Sequence, residues 1–191
     1  MRPRPLWRVN PEVPLNEIRS KPGHRIYNPR GGEKRSTETR ENCLSAQNGD
    51  KAVDAVDVEA TWQRLASRPG SQLIDVRTRA EWAYVGIPDL GPIGKRAVLV
   101  EWQTFPDQTV DPRFVERLAG ELKALGAQLD DDLFFICRSG GRSLTAAKAM
   151  AVAGYRACHN VAGGFEGPLD DERHRGAVGG WKAAGLPWRQ G

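Results

Sequence analysis

Over the first 55 positions apolar residues are sparse and keep neither a helical nor a strand period. Stretches such as NPRGGEKRSTETRENC are rich in Pro, Gly and charge. They cannot bury enough apolar surface to offset the entropy of ordering them. Residues 1–55 are therefore expected to form a disordered basic tail, and residues 56–191 the folded domain. From Asp57 the pattern changes. In VEATWQRLAS, Val58, Trp62 and Leu65 share one helical face, Asp57 is placed to cap it, and Pro69-Gly70 stops it. SQLIDV is a short apolar run that predicts a buried strand. RAEWAYV predicts a short helix, ended by Gly86, Ile87 and Pro88. RAVLVEW, residues 96–102, predicts a second strand.

Asp111 is expected to cap the next helix with Pro112 at its first position, a site that tolerates the missing amide. Phe114, Val115, Leu118, Leu122 and Leu125 form its apolar stripe, and Gly126 closes it. DLFFIC predicts a third strand, with Cys137 as its last residue. SLTAAKAMAVAG reads as a helix of small residues ending at Gly154. ACHNVAGG reads as a fourth strand running into a glycine turn. Trp181, Leu186 and Trp188 are expected to plug the C-terminal segment onto the core. Strands alternating with helices imply an α/β fold with a small, mostly parallel sheet flanked by helices. In such folds ligands gather outside the carboxyl ends of the strands. Asp75 and Cys137 both fall at such ends.

Composition narrows the function classes. No run approaches the roughly 18 apolar residues of a membrane helix. The first residues lack the apolar centre of a secretory signal. The protein is therefore expected to be cytoplasmic, with no membrane partner. The net charge of +4 is unevenly placed: residues 1–40 hold ten Lys/Arg against four Asp/Glu, and the rest holds eighteen against twenty. The excess lies in the tail rather than on a face of the fold, so nucleic acid is not an expected partner. The three cysteines, Cys43, Cys137 and Cys158, form no C-x-x-C pair, and His24, His159 and His174 are scattered. No metal site and no organic cofactor is expected. Cys158 reads as a packed core residue and Cys43 as part of the polar tail.

The segment CRSGGRS, Cys137 to Ser143, joins a strand end to a helix start. Gly140 and Gly141 let the backbone curl so that amide N–H groups point into a ring. The following helix adds its positive N-terminal end. A cysteine at the mouth of such a cradle is favoured as thiolate. Arg138 and Arg142 add positive charge that can hold an oxyanion. A nucleophile facing an anion site is the pattern of sulfur or phosphoryl transfer.

LIDVRTRAEW (residues 73–82), GIP (86–88), CRSGGRS and the closing NVAGGFEG and GWKAAGLPW together resemble a single-domain rhodanese, a sulfurtransferase, over roughly residues 57–188. The resemblance implies the rhodanese fold. It implies that Cys137 takes sulfane sulfur from a donor such as thiosulfate, becomes a persulfide, and passes the sulfur to a thiol or cyanide-like acceptor, including an acceptor protein. It implies that the backbone of Arg138, Ser139, Gly140, Gly141 and Arg142 stabilises the anionic sulfur, with the two arginines as donor-binding or loop-holding groups. Asp75, Arg77 and Glu81 receive a structural role. A strand-end Asp in an apolar run must find a partner, and Arg77 or Arg142 could serve.

Two other readings stand beside this one. The first is a rhodanese-fold phosphatase or arsenate reductase. The related phosphatases space Cys and Arg by five residues, whereas Cys137 and Arg142 enclose four, and a shorter ring suits a terminal sulfur better than a tetrahedral phosphate. The second is a non-catalytic rhodanese-like binding module, although such modules often lack the cysteine. The chain departs from the family at GIP, where a His commonly follows the Gly, and in the insertion PLDDERHRGAVG, residues 168–179, which reads as a solvated loop.

Overall fold

The computed structural model describes residues 53–190, all within one compact unit. Strands β1 (Asp54–Val56), β2 (Gln72–Asp75), β4 (Val98–Leu99), β5 (Leu133–Ile136) and β6 (Cys158–Val161) form a parallel sheet in the order β1-β6-β5-β2-β4. The connections carry helices α1 (Val58–Ser67), α2 (Arg79–Val85), α3 (Phe114–Ala124) and α4 (Gly141–Val152). A separate antiparallel pair joins β3 (Ile87–Pro88) to β7 (Trp188–Arg189), and α5 (Gly180–Ala183) precedes β7.

The run LFFI is apolar throughout because β5 is central and covered on both faces. Its side chains alternate between two cores. Leu133, Phe135 and Cys137 pack with Phe114, Leu118, Leu122 and Met150 of α3 and α4. Phe134 and Ile136 pack with Leu65, Phe165 and Trp181 on the opposite face. The period of two along the strand thus directs Cys137 toward the α3/α4 side. Helix α1 begins where the sequence indicates: the Asp57 carboxylate accepts from Ala60 N at 2.6 Å.

Several expectations need correction. The tail boundary set at residue 55 falls inside β1, since Asp54 and Ala55 pair with His159 and Asn160. Three residues suffice there because β6 supplies the partner, and an isolated window carries no trace of that. The rest of the expected tail lies outside the described residues. The strand expected over residues 96–102 is only Val98–Leu99, at the sheet edge. Beyond it, Val100 N and Trp102 N still reach Asp75 O and Val76 O before the chain leaves into a loop bridged by Gln103 and Val110. Helix α3 starts at Phe114, not Pro112. The Asp111 carboxylate accepts from Arg113 N at 2.9 Å, which closes a local turn in place of a helix cap. Leu125 caps α3 and is 37% exposed, so it leaves the expected stripe. Trp181 is fully buried as expected, but Trp188 is 41% exposed. Among the described residues, no helix is long and apolar enough to cross a membrane.

Candidate active site

Cys137 lies one residue beyond β5 and is 1% exposed. Arg138 and Ser139 turn outward to solvent. Gly140 returns the chain with φ 107°, a conformation that side-chain-bearing residues rarely adopt, and Gly141 opens the twelve-residue helix α4. The Gly140 amide donates to Cys137 Sγ at 3.2 Å. Ser143 Oγ also lies 3.2 Å from Sγ. The sulfur therefore faces a backbone donor, a hydroxyl and the positive end of α4. Ser143 is itself held between Gly140 O at 3.1 Å and Asn160 Oδ1 at 2.7 Å. Its single proton can serve only one of these acceptors at a time.

A second turn supports the loop from β6. Phe165 N donates to Cys137 O at 2.8 Å and Glu166 N to Arg138 O at 3.0 Å. Gly164 takes φ 65° directly against the loop: a Cβ there would stand 2.5 Å from Cys137 O and 2.7 Å from Arg138 C and O. Only glycine lets the two backbones approach this closely.

The two loop arginines do different things. Arg142 Nη1 and Nη2 clamp Glu81 Oε2 and Oε1 at 2.8 and 2.6 Å. Glu81 also closes the capping box of α2 with Thr78, so this pair ties the start of α4 to the start of α2. Burial would push the Glu81 carboxyl up. The Arg142 hydrogen bonds, the Thr78 amide and hydroxyl, and the Arg142 charge together outweigh it and bring the pKa from 4.5 down to about 2. The Glu81 hydrogen bonds in turn raise the pKa of Arg142 against its own burial. Arg138 is exposed and forms no ion pair among the described residues.

Asp75 pairs with Arg77, the first of its two expected partners. Both side chains are fully buried. Arg77 Nε and Nη2 donate to the Asp75 carboxylate at 2.9 and 2.5 Å, and Nη2 also donates to Gly86 O at 2.7 Å. The guanidinium lies 3.9 Å from the centroid of Phe165, whose amide holds Cys137 O. The pair thus underlies the loop rather than entering it. At the GIP corner Gly86 takes φ 96°, and a Cβ would meet Arg189 O at 2.7 Å. The glycine is set by the β3–β7 pairing.

Beside the loop opens a cavity of about 430 Å³ lined by Thr78, Ala80, Glu81, Val85, Phe105, Gln108, Arg138, Arg142 and Glu166. None of its lining residues comes from the 168–179 insertion. That segment is instead folded by local bonds such as Gly176 N to Glu166 O at 2.7 Å and Arg175 Nη1 to Gly167 O at 2.6 Å. Among the described residues no group of His, Cys, Asp and Glu is arranged to hold a metal ion.

Three contributors to this site escape the sequence reading as functional residues: Ser143, Asn160 and Glu166. Ser143 stands inside the CRSGGRS motif, six residues from Cys137, and a helix opening at Gly141 turns it back toward the sulfur. Asn160 and Glu166 carry no signal in isolation, because strand pairing and the Gly163-Gly164 turn bring them to the loop.

The parallel sheet, with its cysteine loop between a central strand and a helix, has the rhodanese-like fold. Residues 53–191 match the family described as the STR4 middle domain, and the chain belongs to that family. It is 42% identical to the protein in the crystal structure of Rv0390 from M. tuberculosis, which superposes with a TM-score of 0.64 over 73% of this chain and 100% of that one. It is 36% identical over 128 residues to the uncharacterized protein RC0915 of Rickettsia conorii, covering 67% of this chain and 90% of that protein. A more distant relative is thiosulfate sulfurtransferase 18 of Arabidopsis thaliana, 28% identical over 63% of this chain and 83% of that protein.

Proposed function

We propose that the protein is a sulfurtransferase that carries sulfane sulfur on Cys137. The observation that carries this reading is the sulfur's setting: Cys137 Sγ is met by the Gly140 amide and the Ser143 hydroxyl, each at 3.2 Å, at the head of α4. These groups can donate to an anionic sulfur both as it attacks and as it becomes a leaving group. In the first half-reaction the Cys137 thiolate attacks the outer sulfur of a donor such as thiosulfate. The donor's S–S bond breaks, its electron pair leaves with sulfite, and Cys137 holds a persulfide. In the second, an acceptor thiolate or cyanide attacks the outer persulfide sulfur, and the electron pair returns to Cys137 Sγ.

Arg138, Ser139, Gly140, Gly141 and Arg142 form the substrate loop in this scheme. Arg138 is the arginine available to an anionic donor, and Arg142 holds the loop to α2 through Glu81. Asp75, Arg77 and Glu81 are supporting residues. The chemistry needs no cofactor. A thiol that cycles through persulfide suits a reducing compartment, and we assign the protein to the cytoplasm.

The test is intact-mass measurement of the purified protein after thiosulfate treatment. A gain of about 32 Da, one sulfur atom, that disappears on adding cyanide and is absent from Cys137→Ser supports a covalent sulfur carrier. Hydrolysis of p-nitrophenyl phosphate with no sulfur adduct would replace this reading with the phosphatase one.

A further inference from the structure

Ser143 carries one hydroxyl proton and is offered three acceptors. Its Oγ lies 3.2 Å from Cys137 Sγ, 3.1 Å from Gly140 O and 2.7 Å from Asn160 Oδ1. Only the Asn160 contact has the length of a well-formed O–H···O bond. The Gly140 carbonyl stands beyond that range, and an uncharged sulfur is a weak acceptor. While Sγ bears no charge, the proton therefore belongs to Asn160.

The fold commits both side chains to this contact. Ser143 is fully buried and Asn160 is 9% exposed, so water offers them little alternative. Ser143 sits in the first turn of α4, and Asn160 reaches it from β6, where it is paired with Phe135 of β5. The Asn160 amide also underlies the cysteine loop: a Cβ on Gly140 would stand 3.6 Å from its Nδ2. Neither heavy atom is free to leave, but the proton can still turn about the Cβ–Oγ bond of Ser143.

We propose that Asn160 is a positioning residue that restrains sulfur release by holding the Ser143 proton away from Sγ. The inference rests on Cys137 acting as the sulfur carrier. In the loaded protein Sγ is bonded to carbon and to the outer sulfur and carries no formal charge. During unloading an acceptor attacks the outer sulfur, the bond from that sulfur to Sγ breaks, and Sγ departs with the electron pair. Charge then develops on Sγ. The Gly140 amide already points at it. The Ser143 hydroxyl joins only by turning from Asn160 Oδ1 to Sγ. A bond present before the step and lost during it raises the barrier. No proton is transferred, since it stays on Ser143 and changes only its acceptor. In return, Asn160 gives a buried hydroxyl the partner it needs while the sulfur is uncharged.

The experiment uses the full chain loaded from thiosulfate, freed of excess donor and mixed with cyanide, which leaves as thiocyanate. Loss of the sulfur adduct is followed by mass. Asn160→Leu replaces the amide with an apolar group of similar size. It is expected to unload about threefold faster than the parent, the scale of one hydrogen bond between neutral groups. Asn160→Ala also lacks the acceptor and carries the same expectation if leucine is not accommodated. In a Ser143→Ala background either substitution should change the rate by no more than about 1.5-fold, because the group it acts through is gone. A residue that merely supports the loop would give slower unloading and the same loss in both backgrounds.

Unloading at or below the parent's rate in these variants would overturn the proposal; a marked slowing would mean that the amide supports the loop or faces Ser143 with Nδ2 and drives its proton onto the sulfur. An equal gain in the Ser143→Ala background would overturn it too, since the effect would not pass through Ser143. So would failure of both Asn160 variants to load while the parent loads. A parent that never acquires the adduct overturns the carrier reading itself. An adduct that forms in every protein and unloads without the gain overturns only this inference.

Discussion

The clamp between Glu81 and Arg142 yields a pH-dependent stability that can be worked out in advance. Glu81→Gln preserves the side chain's size and removes its charge. Lowering the Glu81 pKa from 4.5 to about 2 corresponds to roughly 3 kcal/mol if no solvent intervened. The two side chains are 20% and 22% exposed, so water screens part of this, and about 1–2 kcal/mol is the expected loss at pH 7. The carboxyl binds its proton less readily in the folded chain than in the unfolded one. Its contribution is therefore complete above pH 4.5 and drains away as pH falls toward 2. Urea unfolding of parent and variant at several pH values should show a gap that is constant from pH 7 to about 5.5 and reduced by more than about half at pH 3.5. A gap that stays constant down to pH 3.5, or that widens, would refute the assignment of this stability to the ionised pair.

Other outcomes follow from the same geometry. Asp75→Ala strands the fully buried Arg77 guanidinium and should cost about 3–5 kcal/mol by urea unfolding; unchanged stability with lost turnover would make Asp75 a participant in the chemistry instead. Gly164→Ala drives a methyl into the Cys137–Arg138 peptide and should cut persulfide loading at least about tenfold. Gly126→Ala, at a similar φ of 74° with nothing within 4 Å, should lose about 1–2 kcal/mol of stability and leave loading intact. Ser143→Ala withdraws a hydroxyl from the sulfur and should slow both loading and unloading about tenfold; equal rates in parent and variant would remove Ser143 from the site.

Much of the architecture is legible because it is local. Asp57 caps α1 through a carboxylate three residues from its target, and the alternation of LFFI side chains between the two cores follows from the pleat. Where a second local bond competes, the pattern misleads. Asp111 and Pro112 resemble a helix start, yet the Asp111 carboxylate captures the Arg113 amide and delays α3 to Phe114. Elements held by distant partners leave a fainter trace. Strand β1 exists through its pairing to β6, and β3 through Trp188 and Arg189 a hundred positions later.

The candidate site divides along the same line. The sequence alone determined the cysteine, its glycines and the strand-to-helix turn, because each is written within a few consecutive residues whose backbone chemistry is local. It also pointed to a partner for Asp75, since a carboxyl buried at an apolar strand end is costly without one. It could not decide between the arginines. That depended on α2 lying beside α4, which gives Glu81 to Arg142 and leaves Asp75 to its near neighbour Arg77. Only tertiary packing left Arg138 as the loop arginine open to solvent. Charge pairing depends on distances of a few ångströms between segments far apart in the chain, and those distances exist only once the sheet has brought the segments together.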